Sequence, residues 1–344
     1  MQKPKICMAF PPTAVSNFDV AKGYVYALRT LGYVVDEIPY HQVYRYWNES
    51  YRFKGLIEGD YNATYEDEDV IISASMDVIL NVMKSNPDIL IVIDGTALHR
   101  KAWEWIRRLH VTGMKSVVIG TESPYQDRTL GFLTDYNDFV YTNERAVARK
   151  LELPYLPTAY STETHFPVFV PQNMRHDVVF IGSGFPERVE MLEQVDWGDL
   201  DFVMYGHYPI DHDHVLAKYY KDTSIANSQA ALLYNGAKIC LNLNRTSIDY
   251  EGAMRIPESE SASPRVYEAL ACGGFLISEY REEIEEMFGD LVPTFTSPEE
   301  LTELLRYWVD KPERRADYCD TLREMVKPHS YIERAKKVMK QCES

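Results

Sequence analysis

The chain has little cysteine, no long apolar run and no excess of basic charge, and each shortage closes off a class of function. Five cysteines stand at 7, 240, 272, 319 and 342. Their number is odd and no two have metal-ligand spacing, so neither a disulfide framework nor a cysteine-held metal organises the chain. Reduced thiols in a cytoplasm are the expectation. No stretch approaches the length of apolar sequence that spans a bilayer. Residues 1–10 hold two lysines and a short apolar run that Pro11 and Pro12 interrupt, which reads as a first strand rather than a secretory signal. Lysine and arginine total 36 against 52 acidic residues, a formal net charge of -16. So acidic a chain lacks the general electrostatic footprint of a nucleic-acid binder, although a local basic patch would still serve one. A G-x-G-x-x-G after the first strand is also missing. Ala9-Phe-Pro-Pro12 stands there instead, which disfavours an ordinary Rossmann dehydrogenase.

What is present is ample apolar material. Hydrophobic residues make up 45% of 344, enough for two cores of ordinary size. Strand-like and helix-like segments alternate. Strands are expected at 5–10, 33–38, 88–94, 116–119 and 139–142, and helices at 19–31, 70–83, 101–109 and on through 151. Residues 156–175 carry Pro157, Pro167 and Pro171 with little periodicity and read as a linker. Alternation then restarts, with strands at 177–181, 202–205, 239–243 and 275–278 and helices at 188–195, 265–271, 283–288 and 298–308. A last basic helix is expected over 331–342. The pattern predicts two doubly wound α/β halves: 1–165, 176–326, and a terminal piece 327–344. Residues 40–69, rich in Tyr, Trp and acids, fit this scheme poorly and read as an excursion from the first half.

The most informative stretch is SPRVYEALACGGFLIS, residues 263–278. Ser263 suits an N-cap and Pro264 the first helical position, and the helix should stop at Gly273 or Gly274 and feed a strand. A helix N-terminus at a strand edge presents backbone N–H groups and a positive dipole end, which suits a diphosphate. Arg265 and Glu268 lie three apart, so the alternative is a surface ion pair. Gly182-Ser-Gly184 follows the 177–181 strand, either as a tight turn or as a place for close backbone approach to a ligand.

These residues resemble the C-terminal signature of CgeB-like (spore maturation) glycosyltransferases, relatives of the large group-1 glycosyltransferase family. The resemblance covers roughly residues 140–310, including 279–288, the 298–301 helix start, and 177–184 with Arg188. It implies a GT-B architecture, two Rossmann-like domains facing across a cleft, the first for the acceptor and the second for a nucleotide-sugar donor, with the 327–344 terminal helix crossing back to the first domain. It implies Glu268 on the donor ribose hydroxyls, and Arg265 with the N–H groups near Ser263 on the diphosphate. Gly182, Ser183 and Gly184 would let the backbone approach the donor, and Arg188 would set a positive charge against the leaving phosphate. Retaining relatives carry a second glutamate eight positions before the first, where Glu260 stands. Here Ser261-Ala-Ser263 replaces the usual glycine-rich run, and Glu258 is also nearby. The expected activity is therefore metal-independent, retaining glycosyl transfer from a UDP-sugar, with no cofactor. The acceptor stays open among glycan, protein, small molecule and modified nucleic acid. A sugar-nucleotide epimerase and a non-catalytic nucleotide-sugar module are the alternatives.

An inverting outcome would need a base. Asp127 or Glu122 is the expected one, because each follows a strand end, where open α/β sheets gather ligands. Asp94 sits on the same kind of edge. Asp211-His-Asp-His214 alternates possible metal ligands but reads as a polar loop opening a helix at Val215. Segment 99–110 reads as an amphipathic helix with Ala102, Trp105, Ile106 and Leu109 inward, and the aromatics of 40–65 as packing more than sugar stacking.

Overall fold

The computed structural model describes residues 3–12, 17–57, 67–125, 127–222, 225–247 and 259–344. Glu258 lies outside them. The chain divides into two compact units, one of residues 1–156 with 334–344 and one of 157–333. Most of the segment read as a linker, from Pro157 on, thus belongs to the second unit.

In the first unit, β1 (Lys5–Ala9), β2 (Val34–Ile38), β3 (Ile89–Ile93), β4 (Lys115–Ile119) and β5 (Phe139–Tyr141) form a parallel sheet in the order β2-β1-β3-β4-β5. The helices between them are α1 (Asn17–Thr30), α2 (Tyr40–Ile57), α3 (Asp67–Ser85), α4 (Arg100–Leu109), α5 (Asp127–Leu133) and α6 (Arg145–Leu151). β3 is a run of five branched residues, all buried, as a central parallel strand covered on both faces requires. The excursion read over 40–69 is helical in its described part, α2 and then the first residues of α3. α2 turns Tyr40, Val43, Tyr44 and Trp47 onto the core at helical spacing, and its Tyr51 hydroxyl meets Ser73 Oγ of α3 at 3.0 Å. Packing, not sugar stacking, accounts for these rings.

On α4 the inward face is Ala102, Trp103 and Ile106 rather than the stripe through Trp105, which is 39% exposed. Both stripes fit a 3.6-residue period. Gly95 decides between them, because its missing side chain makes room for the Trp103 ring: a Cβ there would lie 3.1 Å from Cζ2.

The second unit has a six-stranded parallel sheet of β6 (Val178–Ile181), β7 (Phe202–Tyr205), β8 (Tyr220–Asp222), β9 (Ile239–Asn242), β10 (Leu276–Glu279) and β11 (Thr294–Phe295). Its order is β11-β10-β9-β6-β7-β8. This is a doubly wound arrangement whose direction reverses between β6 and β9. The helices are α7 (Pro186–Gln194), α8 (Asn227–Gly236), α9 (Pro264–Ala271), α10 (Glu282–Phe288), α11 (Pro298–Val309) and α12 (Pro312–Val326). No helix opens at Val215. Turns there lead into a short 3-10 segment, Ala217–Tyr219, while His214 Nε2 pairs with Glu193 at 2.8 Å and its Nδ1 accepts from Leu216 N–H.

The chain ends in α13 (Tyr331–Cys342), whose residues from Arg334 on belong to the first unit. There Tyr141 Oη donates to Gln341 Oε1 at 2.7 Å, Lys115 Nζ to Cys342 O at 2.7 Å and Tyr33 Oη to Glu343 Oε1 at 2.8 Å. The final segment of sequence therefore completes the first fold. Among the described residues no helix is long and apolar enough to cross a membrane.

Candidate functional site

The reversal point of the second sheet gathers most of the residues singled out in the sequence. Gly182 leaves the end of β6, and its N–H donates to Tyr205 O at 2.8 Å. Gly184 N–H donates to His207 O at 2.8 Å, so the two strand-end segments run on side by side. Their approach is too close for side chains. A Cβ on Gly206, which has φ +136°, would lie 2.2 Å from Gly182 O. A Cβ on Gly184 would lie 2.2 Å from Cδ1 of Tyr208, whose ring covers it.

Arg265, in the first turn of α9, reaches across to this turn. Its Nε donates to Ile181 O and its NH1 to Asn242 Oδ1, both at 2.6 Å, and its guanidinium lies 5.0 Å from the centre of the Phe180 ring. Its NH2 occupies the place of a Gly182 side chain, 2.5 Å from where a Cβ would be. Gly182 is thus needed at least as much for the arginine as for a ligand. An arginine has five N–H donors; two are engaged, and among the described residues the other three have no protein partner. Arg265 makes no ion pair with Glu268 or any other described carboxylate, so the surface-pair alternative does not describe it.

Arg188, 8% exposed, lies on the same side of Gly182, its NH1 3.4 Å from where a Cβ would be. It donates to three main-chain carbonyls, Ser183 O from NH1, Leu243 O from NH2 and Asn244 O from Nε, at 2.9–3.0 Å. It ties the turn after β6 to the segment after β9. Its charge remains there, but its geometry is first that of a strut.

Ser263 stands at the N-cap position of α9 without capping it. Its Oγ donates instead to Asn242 Oδ1 at 2.9 Å. Asn242, fully buried at the end of β9, so accepts from both Ser263 and Arg265, and its Nδ2 donates to Ser278 Oγ at 2.8 Å. Every capacity of that amide oxygen is used, which fixes where the arginine head lies.

Two further carboxylates hold the surrounding backbone. Glu187 accepts from Thr246 N–H, Ser247 N–H and Ser247 Oγ at 2.6–3.0 Å. Burial pushes this carboxyl up, but those hydrogen bonds bring it below its ordinary value. Glu283, 2% exposed, accepts from Ala262 N–H at 2.6 Å, and its own N–H donates to Glu260 O. Glu260 is therefore pinned just before α9 with its Oε2 buried. Glu268 lies one turn along α9, half-buried; burial chiefly, and then the charge of Glu268, pushes the ionisation of Tyr234 and Cys272 up.

Asn242, Ser278, Glu187, Glu283 and Tyr208 did not stand out in the sequence. The legible signal was Asn242, an amide inside the apolar run of a central strand, where an unpartnered polar group is costly.

The first unit has its own edge. Its sheet reverses between β1 and β3, and Asp94 follows β3 at φ +68° with Gly95 N–H donating to Ile93 O at 2.9 Å around it. Asp94 is 6% exposed and accepts from Thr96 Oγ1 at 3.2 Å. Burial, with the charge of nearby Glu122, pushes its carboxyl up to about 6. Asp127 opens α5, and burial also raises it, while Lys150 pulls it down and Glu144 pushes it up. Of the three edge acids, Asp94 and Glu122 are the pair close enough to act on each other. Among the described residues no three His, Cys, Asp or Glu side chains are grouped to hold a metal ion.

Residues 188–340 match the family model described as "Glycosyl transferase-like". No curated protein matches the chain. Among solved structures the chain is similar to apo OtsA at TM-score 0.62 and 9% identity, each chain 99% covered. It is similar to a mutant of S. aureus TarM in complex with Fondaparinux, alpha-GlcNAc-glycerol and UDP, at TM-score 0.55 and 11% identity, covering 79% of this chain and 59% of that one. It is also similar to the UDP-GlcNAc 2-epimerase of Methanocaldococcus jannaschii in complex with UDP-GlcNAc and UDP, at TM-score 0.51 and 11% identity, each chain 98% covered. The two units are a GT-B fold.

Proposed function

We propose that the protein transfers a glycosyl group from a nucleoside-diphosphate sugar, UDP-linked, to an acceptor hydroxyl without a divalent metal. The observation that carries this reading is Arg265. It is a guanidinium fixed at the sheet's reversal point by Ile181 O and Asn242 Oδ1, with three N–H donors and no counter-charge among the described residues. An open α/β sheet binds its ligand at that point, and a fixed cation with free donors there suits a diphosphate. The family match over the second unit and the UDP named in two of the similar structures point the same way. The finer likeness to CgeB-like enzymes rests on residues 263–278.

In this reading Glu268 accepts from the ribose hydroxyls, and the backbone of Gly182–Gly184 and the α9 N-terminus lies along the diphosphate. Arg188 braces the segments after β6 and β9 and adds its charge beside that of Arg265. Metal is dispensable because these groups meet the charge that develops on the departing diphosphate. The bond from the anomeric carbon to the phosphate oxygen breaks and one to the acceptor oxygen forms. The acceptor proton passes to the departing diphosphate, so retention needs no protein base; Glu260, eight positions before Glu268, stands at the spacing of the second glutamate of the retaining relatives that the sequence resembles. Asp94, Glu122 and Asp127 serve as a base only if the outcome is inversion.

UDP at about 100 times its dissociation constant should add ~2.7 kcal/mol of stability, roughly 5–11 °C for a domain of this size. The melting temperature should rise by that much in EDTA, and UDP-sugar plus a suitable hydroxyl acceptor should yield glycoside. A rise seen only with added magnesium or manganese contradicts the metal-free reading. Conversion of the sugar nucleotide alone, with no acceptor, makes the protein an epimerase.

A further inference from the structure

Tyr208 is a side chain at the second unit's reversal point that is buried and yet unused as a hydrogen-bonding group. It is 6% exposed, and its hydroxyl, wholly out of solvent, has no hydrogen-bond partner among the described residues. Its ring lies on Gly184, so a Cβ there would meet Cδ1 and Cε1, and its ring also meets Tyr220, with centroids 5.6 Å apart. Phenylalanine would fill this space equally well. The hydroxyl is not in a neutral surrounding, however. Arg188 and Arg265 both act on it, drawing its ionisation down against the larger upward push of burial, so it stays a neutral phenol able to donate. A buried donor left unmade is a cost, and a ligand oxygen that accepted from it would remove that cost.

We propose that the Tyr208 hydroxyl is a phosphate-binding group of the nucleoside-diphosphate site, donating to a phosphate oxygen that Arg265 also meets. The proposal rests on the function argued above and names a residue it does not require. The two arginines select the phosphates rather than the base or sugar as the partner, since they are the cations that act on the hydroxyl. The ring packs on Gly184 and Tyr220, so the bond requires a small shift of the ring within its packing.

The test is the Tyr208→Phe variant, titrated with UDP and with inorganic pyrophosphate beside the wild type, with melting curves of both proteins. The variant should melt at or above the wild-type temperature, because no protein bond is lost. Its affinity for UDP and for pyrophosphate should each fall about tenfold, the loss of one charge-assisted hydrogen bond. Equal affinity for both ligands in the two proteins overturns the assignment while leaving the site reading intact. A fall for UDP with none for pyrophosphate overturns the phosphate contact. A wild type that binds neither ligand overturns the site reading and the assignment together.

Discussion

Arg265→Ala should abolish measurable UDP binding in a protein that still folds. In the wild type the guanidinium is held at two points, and its remaining donors have nothing in the described protein to bond. Two charge-assisted bonds to a diphosphate, at ~1.5–3 kcal/mol each, amount to a loss of roughly two to four orders of magnitude in affinity. The folded state loses less. Asn242 Oδ1 keeps its bond from Ser263, and among the described residues Ile181 O alone loses its Arg265 donor without another side chain to replace it, which sets a loss of about 1–3 kcal/mol. Arg265→Lys is the sharper companion, because it keeps the charge but not the fork that satisfies Ile181 O and Asn242 Oδ1 together. Calorimetric titration with UDP, with melting curves alongside, measures both quantities. If alanine at 265 binds UDP nearly as tightly as wild type does, the arginine is not the anion-binding group.

Gly206→Ala should be among the most damaging single substitutions in the second unit. Its φ of +136° is a backbone conformation that side chains rarely adopt, and the added methyl would lie 2.2 Å from Gly182 O and 2.6 Å from Gly182 C. Neither atom is the end of a flexible side chain. Relief requires the turn after β6 to move away from the turn after β7, which breaks the Gly182–Tyr205 and Gly184–His207 hydrogen bonds. Backbone strain and two lost bonds together set a destabilisation of ~3 kcal/mol or more. Denaturant unfolding of the variant and of Gly198→Ala gives the comparison. Gly198 also has positive φ, but nothing stands within 4 Å of an added Cβ, so only the conformational cost remains. Equal losses at the two positions would mean that the two turns are not packed as described.

Much of this layout was legible because parallel strands leave a plain signature. The runs ILIVI of β3 and FVMY of β7 are apolar or nearly so and bounded by polar residues, so both stood out within a residue or two of their observed ends. The start of α9 was equally plain, because Ser263-Pro264 announces a first turn and Gly273, at φ +81°, ends it. α2 was obscured because its inward face is made of Tyr and Trp among charges, a mixture that low apolar content hides from a periodicity search. α12 was hidden for a related reason: only Arg315, Leu322 and Val326 of its fifteen residues are buried.

At the site the residue types were legible and their partners were not. Arg188 and Arg265 look alike in sequence, yet one is consumed by three carbonyls and the other keeps free donors. The difference depends on where β9 ends relative to β6, which no local pattern encodes. Ser263 likewise has the right identity for a cap, but Asn242, far earlier in the chain, takes its hydroxyl. Tyr208 gave no signal at all, since a tyrosine after a strand and a glycine is ordinary.

The most direct test of a nucleoside-diphosphate site in the second unit is calorimetric titration of UDP, in EDTA, into wild type and Glu268→Gln. Glutamine keeps the volume of the side chain, but it replaces an ionised acceptor of two ribose hydroxyls with a neutral group that is half donor. Glu268 makes no ion pair with Arg265, so the substitution leaves the arginine's fixed position untouched. Wild type should bind UDP without metal, and the variant should bind it ~1.5–3 kcal/mol more weakly, about 10- to 150-fold, with a nearly unchanged melting temperature. Equal binding by the two proteins would contradict the placement of the ribose on Glu268 and, with it, the donor site on α9.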